Sequence, residues 1–260
     1  PKWIISSWGT EINYGSEESS SKEKISSCLK ECDWFIADCN RDIGIAKSLG
    51  LPEYKLAFNI PVPGAGGVDV NQLSIFKKDV QERKIILIPK AYESSANKTL
   101  PILEALNICG DILDSYEIYL LMCSDETKQY LKHLSPKLQS KCHCLPMIPK
   151  NQFLKLLGSA RLMIAPSLSD GTPNVLLETM AMGAFPIMSP ISSILEWIID
   201  GKNGLLAHAL FPDQIAYAIK KAINDDNLIT SAEVINYKII LQRACRENIK
   251  IIVNNFYYRV

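Results

Sequence analysis

Glu178 is the residue that first asks for a chemical explanation. It lies in SDGTPNVLLETMAMG, residues 169 to 183, where a polar loop runs into a helical segment. Val175, Leu176, Leu177, Met180, Ala181 and Met182 make that helix apolar nearly all round, so it is expected to be buried. Thr172 suits the N-cap. Pro173 suits the first helical position, where its missing N–H is not needed, and Gly183 can take the left-handed conformation that ends the helix. Glu178 then stands ~7.5 Å along the axis from Pro173, at ~1.5 Å per residue, with its Cβ leaning toward the N-terminus. An unpaired carboxylate there is costly. Two kinds of partner fit. One is the ribose of a nucleotide whose phosphates rest on the helix N-terminus; the other is an arginine, or backbone N–H groups, in the core.

The elements around this helix place it at a ligand-binding edge. RLMIAPS (161–167) reads as a buried strand, so the loop Leu168–Thr172 falls at the C-terminal edge of a sheet. Further strands are expected at KWIIS (2–6), WFIAD (34–38), KLAFNI (55–60), KIILIP (84–89), EIYLLMC (117–123), CHCLPM (142–147) and FPIMS (185–189). Helical patterns such as KEKISSCLKEC, NKTLPILEALNIC, NQFLKLLGSA and DQIAYAIKKAIND alternate with them, and SEESSSKEK (16–24) reads as a polar loop leading into a helix. Continuous apolar strands alternating with helices mean an α/β fold with a parallel sheet covered on both faces. The proline, glycine and charge of PVPGAGGVDVNQLSIFKKDVQERK (61–84) read as a linker between two such units. A last helical stretch follows Leu228.

Several function classes are disfavoured. Lysine plus arginine and aspartate plus glutamate stand at 28 each, which gives no sign of a nucleic-acid binder. No apolar run approaches the ~20 residues of a membrane span. Among eight cysteines, Cys142 and Cys144 alternate with His143 in a strand, which puts the thiols and the imidazole on opposite faces. That is a poor zinc site, and free buried thiols are expected instead. Gly64-Ala65-Gly66-Gly67 lacks the third glycine of a dinucleotide fingerprint, where Asp69 stands, and opens onto a loop.

Asp170-Gly171-Thr172-Pro173-Asn174-Val175-Leu176-Leu177-Glu178 resembles the acid, seven residues, acid motif of the retaining glycosyltransferases of family 4. Ser159 to Ser167 upstream, and Met180 to Gly183, Glu196-Trp197-Ile198 and Asp200 to Leu206 downstream, continue the resemblance in register. It implies the GT-B fold, two Rossmann-like domains facing each other across a cleft. Glu178 is then expected to hold the ribose and Asp170 the hydroxyls of the transferred sugar. Gly171, Thr172, Pro173 and Asn174 would meet sugar and diphosphate, and the segment at Met147 and Ile148 the base. The diphosphate would meet a basic pair, Lys98 and, as the nearest candidate for its first member, Lys90. Asp170 stands where glutamate is commoner, and Thr99 where a glycine often follows the loop lysine.

On this resemblance, residues 1–78 are the second half of an acceptor-side domain with its linker. Residues 79–245 form a complete nucleotide-sugar-binding domain, and residues 246–260 end a helix that crosses back. Trp8 to Ile12 stand where the family often has a histidine-glycine-serine-aspartate stretch. The sequence opens on Pro1, and its three upstream strands are too few for a domain, so the natural chain is expected to extend upstream by about a hundred residues or more. The implied activity is metal-independent transfer, with retention, from a nucleotide sugar such as a UDP- or GDP-sugar to a glycan, lipid-linked or other hydroxyl acceptor. Asp170, Lys98 and Glu178 are the residues expected at the chemistry, with no resident cofactor. A cytoplasmic location is expected, with the option of peripheral attachment at the membrane face. Two rivals stay open: a sugar-nucleotide epimerase or phosphorylase on the same fold, and a non-catalytic nucleotide-binding protein.

Overall fold

Apolar strands flanked by helices should assemble a parallel sheet, and the computed structural model, which describes residues 2–15, 17 and 19–260, contains two. The larger has six strands: β3 (Ile85–Ile88), β4 (Glu117–Leu121), β5 (Cys142–Leu145), β6 (Ala160–Ile164), β7 (Phe185–Met188) and β8 (Leu205–Leu206). Their order is β5-β4-β3-β6-β7-β8, all parallel. This is the doubly wound arrangement, and the strand order reverses at the β3–β6 pair, where ligands of such sheets bind. Every residue of β6 and β7 is buried, because helices cover both faces. One apolar layer joins Leu103, Leu106, Ile215 and Ile219 to the sheet, and the other joins Leu176, Leu177, Met180 and Trp197.

The upstream unit is smaller. β1 (Ile4–Ser7) and β2 (Trp34–Ala37) pair in parallel over a core of Ile12, Leu29, Phe35 and Ala46. The third strand expected at 55–60 does not form. Glu53–Lys55 is a 3-10 turn, after which Leu56 makes a single bridge to Phe35. The segment still runs beside β2, where Ala57 N donates to Phe35 O and Val62 N to Ala37 O. Pro61 and Pro63 have no N–H to continue a ladder. Part of the expected loop at 16–24 is helical, since Ser19–Glu31 is a helix; Ser16 and Glu18 lie outside the described residues.

Two connections bring the units together. The expected linker contains a helix, Val70–Ser74, and before it Val68 N donates to Ala244 O while Arg246 N donates to Val68 O. These bonds fall where the last helical stretch breaks, between the helices Asp226–Arg243 and Arg246–Tyr257. Gly67, at φ 81°, has no room for a side chain, since a Cβ would lie 2.6 Å from Ala244 O. The final helix then reaches the upstream unit, where Phe256 packs on Trp34 and Phe58 at ring separations of 5.3 and 5.2 Å. No helix among the described residues is long and apolar enough to cross a membrane.

Candidate active site

The helix that carries Glu178 runs from Asn174 to Met182 and ends at Gly183 in the left-handed conformation, φ 77°. Its start differs from expectation. Pro173, in an extended conformation, is the N-cap, and no side chain caps the first turn. Thr172 is not the cap because its hydroxyl is used elsewhere: it donates to Asp38 O at 2.6 Å and accepts from Trp197 Nε1 at 3.1 Å. The positive end of the helix therefore has no side-chain oxygen on it, which is what an anion-binding end requires.

Two cavities open at this end, on the C-terminal edge of the sheet. The first, about 320 Å³, is mostly apolar and is lined by Leu121, Met122, Met147, Ile148, Phe153, Val175 and, at one side, Lys150 and Glu178. The second, about 360 Å³, is lined by Lys90, Asp170, Thr172, Pro173, Asn174 and Val175, and also by Trp8, Asp38, Gly64 and Ala65. Lys90 and Val175 line both. The cavities are neighbours, meeting beside the helix N-terminus.

The charged groups are arranged around that meeting point. Lys90 Nζ donates to Asp170 Oδ2 at 2.7 Å. Asp170 O accepts from Arg41 Nη1 at 2.7 Å and from Ser193 Oγ at 2.8 Å, so the loop is fixed through its backbone and its acid stays at the cavity. Glu178 is half-buried and accepts from Lys150 Nζ. Its partner is thus a lysine on the neighbouring helix Lys150–Gly158, neither the arginine nor the backbone groups that packing alone suggested. Lys98 lies elsewhere. It is 3.9 Å from Glu93, whose carboxylate accepts from Thr99 N and Leu100 N at 2.5 and 2.8 Å and so caps the helix Leu100–Cys109. Lys98 is not among the residues lining either cavity.

The description "glycosyl transferases group 1" belongs to the family whose model matches residues 91–225, just over half of the chain. The chain belongs to this family. Among curated proteins it is 25% identical over 126 residues to an alpha-maltose-1-phosphate synthase of Mycolicibacterium smegmatis, a match covering 45% of this chain and 33% of that protein. The chain thus spans about a third of that relative's length. Among solved structures, Anabaena HepE in complex with UDP-glucose superposes with a TM-score of 0.79 at 14% identity, over 98% of this chain and 72% of that one. S. aureus TarM, in a complex that includes UDP, gives 0.79 at 15% identity over 98% of this chain and 50% of that one. The fold is that of GT-B glycosyltransferases, with part of the two-domain architecture present.

Within this group 1 glycosyltransferase fold, several residues that line the site went unnamed in the sequence reading. Lys150 and Phe153 come from a helix whose amphipathic pattern reads as plain packing, and Lys150 Nζ also lies 5.3 Å from the Phe153 ring centre. Met122 is the only non-glycine residue at positive φ, 57°, among those described, and it lines the apolar cavity directly after β4. Such backbone strain gathers where a site is built, and no local sequence signal marks it. Asp38, unnamed as well, lines the polar cavity from the upstream unit, as does Trp8, which the family resemblance had singled out, while Arg41 holds the Asp170 backbone from there. Asp38, at the end of WFIAD, had a readable signal: an acid at the C-terminal end of an apolar parallel strand.

The upstream unit is held to the site loop at several points. Gly9, at φ 113°, approaches Gly171 so closely that a Cβ on Gly9 would lie 2.2 Å from Gly171 N. A Cβ on Gly171 would in turn lie 2.5 Å from Trp8 O and 2.6 Å from Asp38 Oδ2. Glu196 accepts from Asn40 N at 2.8 Å and so caps the helix Asn40–Ser48 from across the interface. Asp38, Cys39 and Asp42 are close enough to share a cation. However, Asp42 already binds Arg41 Nη2 and Ser7 Oγ, both at 2.7 Å, and burial pushes the Cys39 thiol strongly up, keeping it protonated. Arg41 fills the cation's role. The cysteines at β4 and β5 are free thiols, and Cys28 and Cys144 are exposed, contrary to the expectation of buried thiols. His143 bonds Glu117 at 2.6 Å, away from any thiol ligand set.

Proposed function

We propose that the chain is the sugar-donor half, and part of the acceptor half, of a retaining, metal-independent glycosyltransferase that uses a nucleotide sugar. The observation that carries this reading is the pair of cavities meeting at Lys90 beside the uncapped start of the Asn174–Met182 helix. An apolar cavity edged by a carboxylate suits a nucleoside: the base lies against Met147, Ile148 and Phe153, and the ribose hydroxyls donate to Glu178. Lys150 would give way or share that carboxylate. The diphosphate lies at the junction, against Lys90 and the free N–H groups at the helix start. The sugar then occupies the polar cavity beside Asp170. UDP is the favoured nucleotide, because the structural neighbours carry UDP or UDP-glucose.

In the reaction, an acceptor hydroxyl approaches the anomeric carbon on the face the diphosphate leaves. The bond from that carbon to the phosphate oxygen breaks, the new glycosidic bond forms, and the hydroxyl proton passes to the departing diphosphate. Lys90 and the helix start stabilise the charge that develops there. Lys98 acts from behind, by holding Glu93 and with it the loop that ends in the helix Leu100–Cys109. The acceptor is a hydroxyl on a glycan or a lipid-linked sugar. Titration calorimetry with UDP tests the reading: saturable one-to-one binding is expected, and no binding at millimolar UDP refutes it.

A further inference from the structure

Among the described residues, only three buried side chains carry a polar atom without a hydrogen-bond partner, and Asp38 Oδ1 is one of them. Asp38 is 5% exposed, yet it lines the polar cavity across from Pro173 and Asn174. It directly follows β2, so it stands at the C-terminal edge of the upstream sheet, opposite the corresponding edge of the larger one. Its backbone is locked to the site loop by the Thr172 hydroxyl. Its carboxyl fills the space that a side chain at Gly171 would take. The nearby cations are already engaged: Arg41 binds Asp42 and Asp170 O, and Lys90 binds the Asp170 carboxylate. Burial, with Asp42 and Asp170 adding to it, pushes the Asp38 carboxyl up to about 7, while the Thr172 N–H and the Cys39 thiol pull the other way.

We propose that Asp38 contacts the transferred sugar, giving the upstream unit a hydrogen bond to one of its hydroxyls. The assignment rests on the nucleotide-sugar reading above. A carboxyl without a cation beside it is a poor neighbour for phosphate and a good one for a hydroxyl, which both donates and accepts. The carboxyl lines a cavity with room for a sugar ring, and Oδ1, unpartnered and enclosed against Gly171, becomes the acceptor once the carboxyl turns toward the sugar. Asp170 and Asp38 would then grip the sugar from the two units, one on each side of the Gly171 backbone.

Calorimetry on the unaltered chain, Asp38→Ala and Asp38→Asn separates the cases. The probes are UDP, GDP, UDP-glucose, UDP-N-acetylglucosamine and GDP-mannose; the nucleotide sugar that binds best to the unaltered chain is compared with its own free nucleotide. In Asp38→Ala, affinity for the free nucleotide is expected to stay within about twofold, while affinity for the nucleotide sugar falls about tenfold, the scale of one well-made hydrogen bond. Asp38→Asn, which keeps a donor and an acceptor, should lose less, and it decides the question if the alanine variant does not fold. Equal loss for nucleotide and nucleotide sugar would mean that Asp38 only shapes the loop, and overturns the proposal. So does an unchanged nucleotide-sugar affinity in both variants. Failure of the unaltered chain to bind any free nucleotide overturns the underlying reading, and the sugar contact with it.

Discussion

The two cavities that meet at Lys90 are built by different parts of the chain. The apolar one is lined by residues between Pro89 and Glu178, all on the six-stranded unit. The polar one takes Trp8, Asp38, Gly64 and Ala65 from upstream as well, and its walls touch through the backbones of Gly9 and Gly171. On the proposed function this is a division of labour. Nucleotide recognition belongs to a single rigid sheet edge, whereas the sugar depends on how two units fit together. Changes at the interface should therefore damage sugar handling far more than nucleotide binding.

Gly171→Ala breaks the comparison most sharply. The new methyl would meet Trp8 O and the Asp38 carboxyl inside contact distance, and neither a backbone carbonyl nor a buried carboxyl moves cheaply. Overpacking of this kind costs ~1–3 kcal/mol, which a urea midpoint would register. Nucleotide-sugar binding should be lost while UDP still binds. Retention of both would show that the units need not touch.

Glu178→Ala makes the opposite cut. It should weaken UDP itself, removing most of the ~2.7 kcal/mol of stabilisation that a hundredfold excess over Kd confers. A folded variant with an unchanged thermal shift would contradict the ribose contact. Lys90→Ala is expected to weaken both ligands, because Lys90 lines both cavities, and it releases Asp170 from its ion pair. Lys98→Ala should have the smaller effect on binding, since its contact is Glu93 at the helix start. Equal losses for the two lysines would restore Lys98 to the diphosphate.

A separate effect, on stability rather than binding, is a pH dependence carried by Asp38. Its folded value, about 7, lies above the ordinary 3.8 of the carboxyl. The folded state therefore holds this proton more tightly than the unfolded chain does. The stability contribution is full below about pH 4, fades as pH rises toward 7, and stays constant above that. Asp38→Asn should be closer to the unaltered chain in urea midpoint at pH 5 than at pH 8, where the variant should gain relative stability. A difference between the two proteins that does not vary with pH would contradict the buried, unpaired environment.

Much of this was legible in the sequence. Continuous apolar runs marked β3 to β7, and the loop before Glu178 marked the ligand edge. The rest was hidden for identifiable reasons. β8 has two residues and shows no periodicity. KLAFNI has strand composition, but Pro61 and Pro63 interrupt the ladder it would need. Thr172 had a cap's chemistry, yet its hydroxyl is spent on Asp38 O, a contact across 134 positions that no local pattern reveals. A similar separation hid the contact of Arg41 with Asp170 O. Spacing placed Lys98 and Lys90 in one loop but could not show that the Lys98 ammonium lies beside Glu93 and the Lys90 ammonium beside Asp170.

The most direct test of the two-cavity account is a crystal structure of the chain grown with UDP. The account predicts the uracil against Met147, Ile148 and Phe153, the ribose hydroxyls within hydrogen-bond distance of Glu178, and the diphosphate between Lys90 and the start of the helix at Pro173. A nucleotide bound at any other place, or one in this place with its phosphates turned away from Lys90 and that helix start, would contradict it.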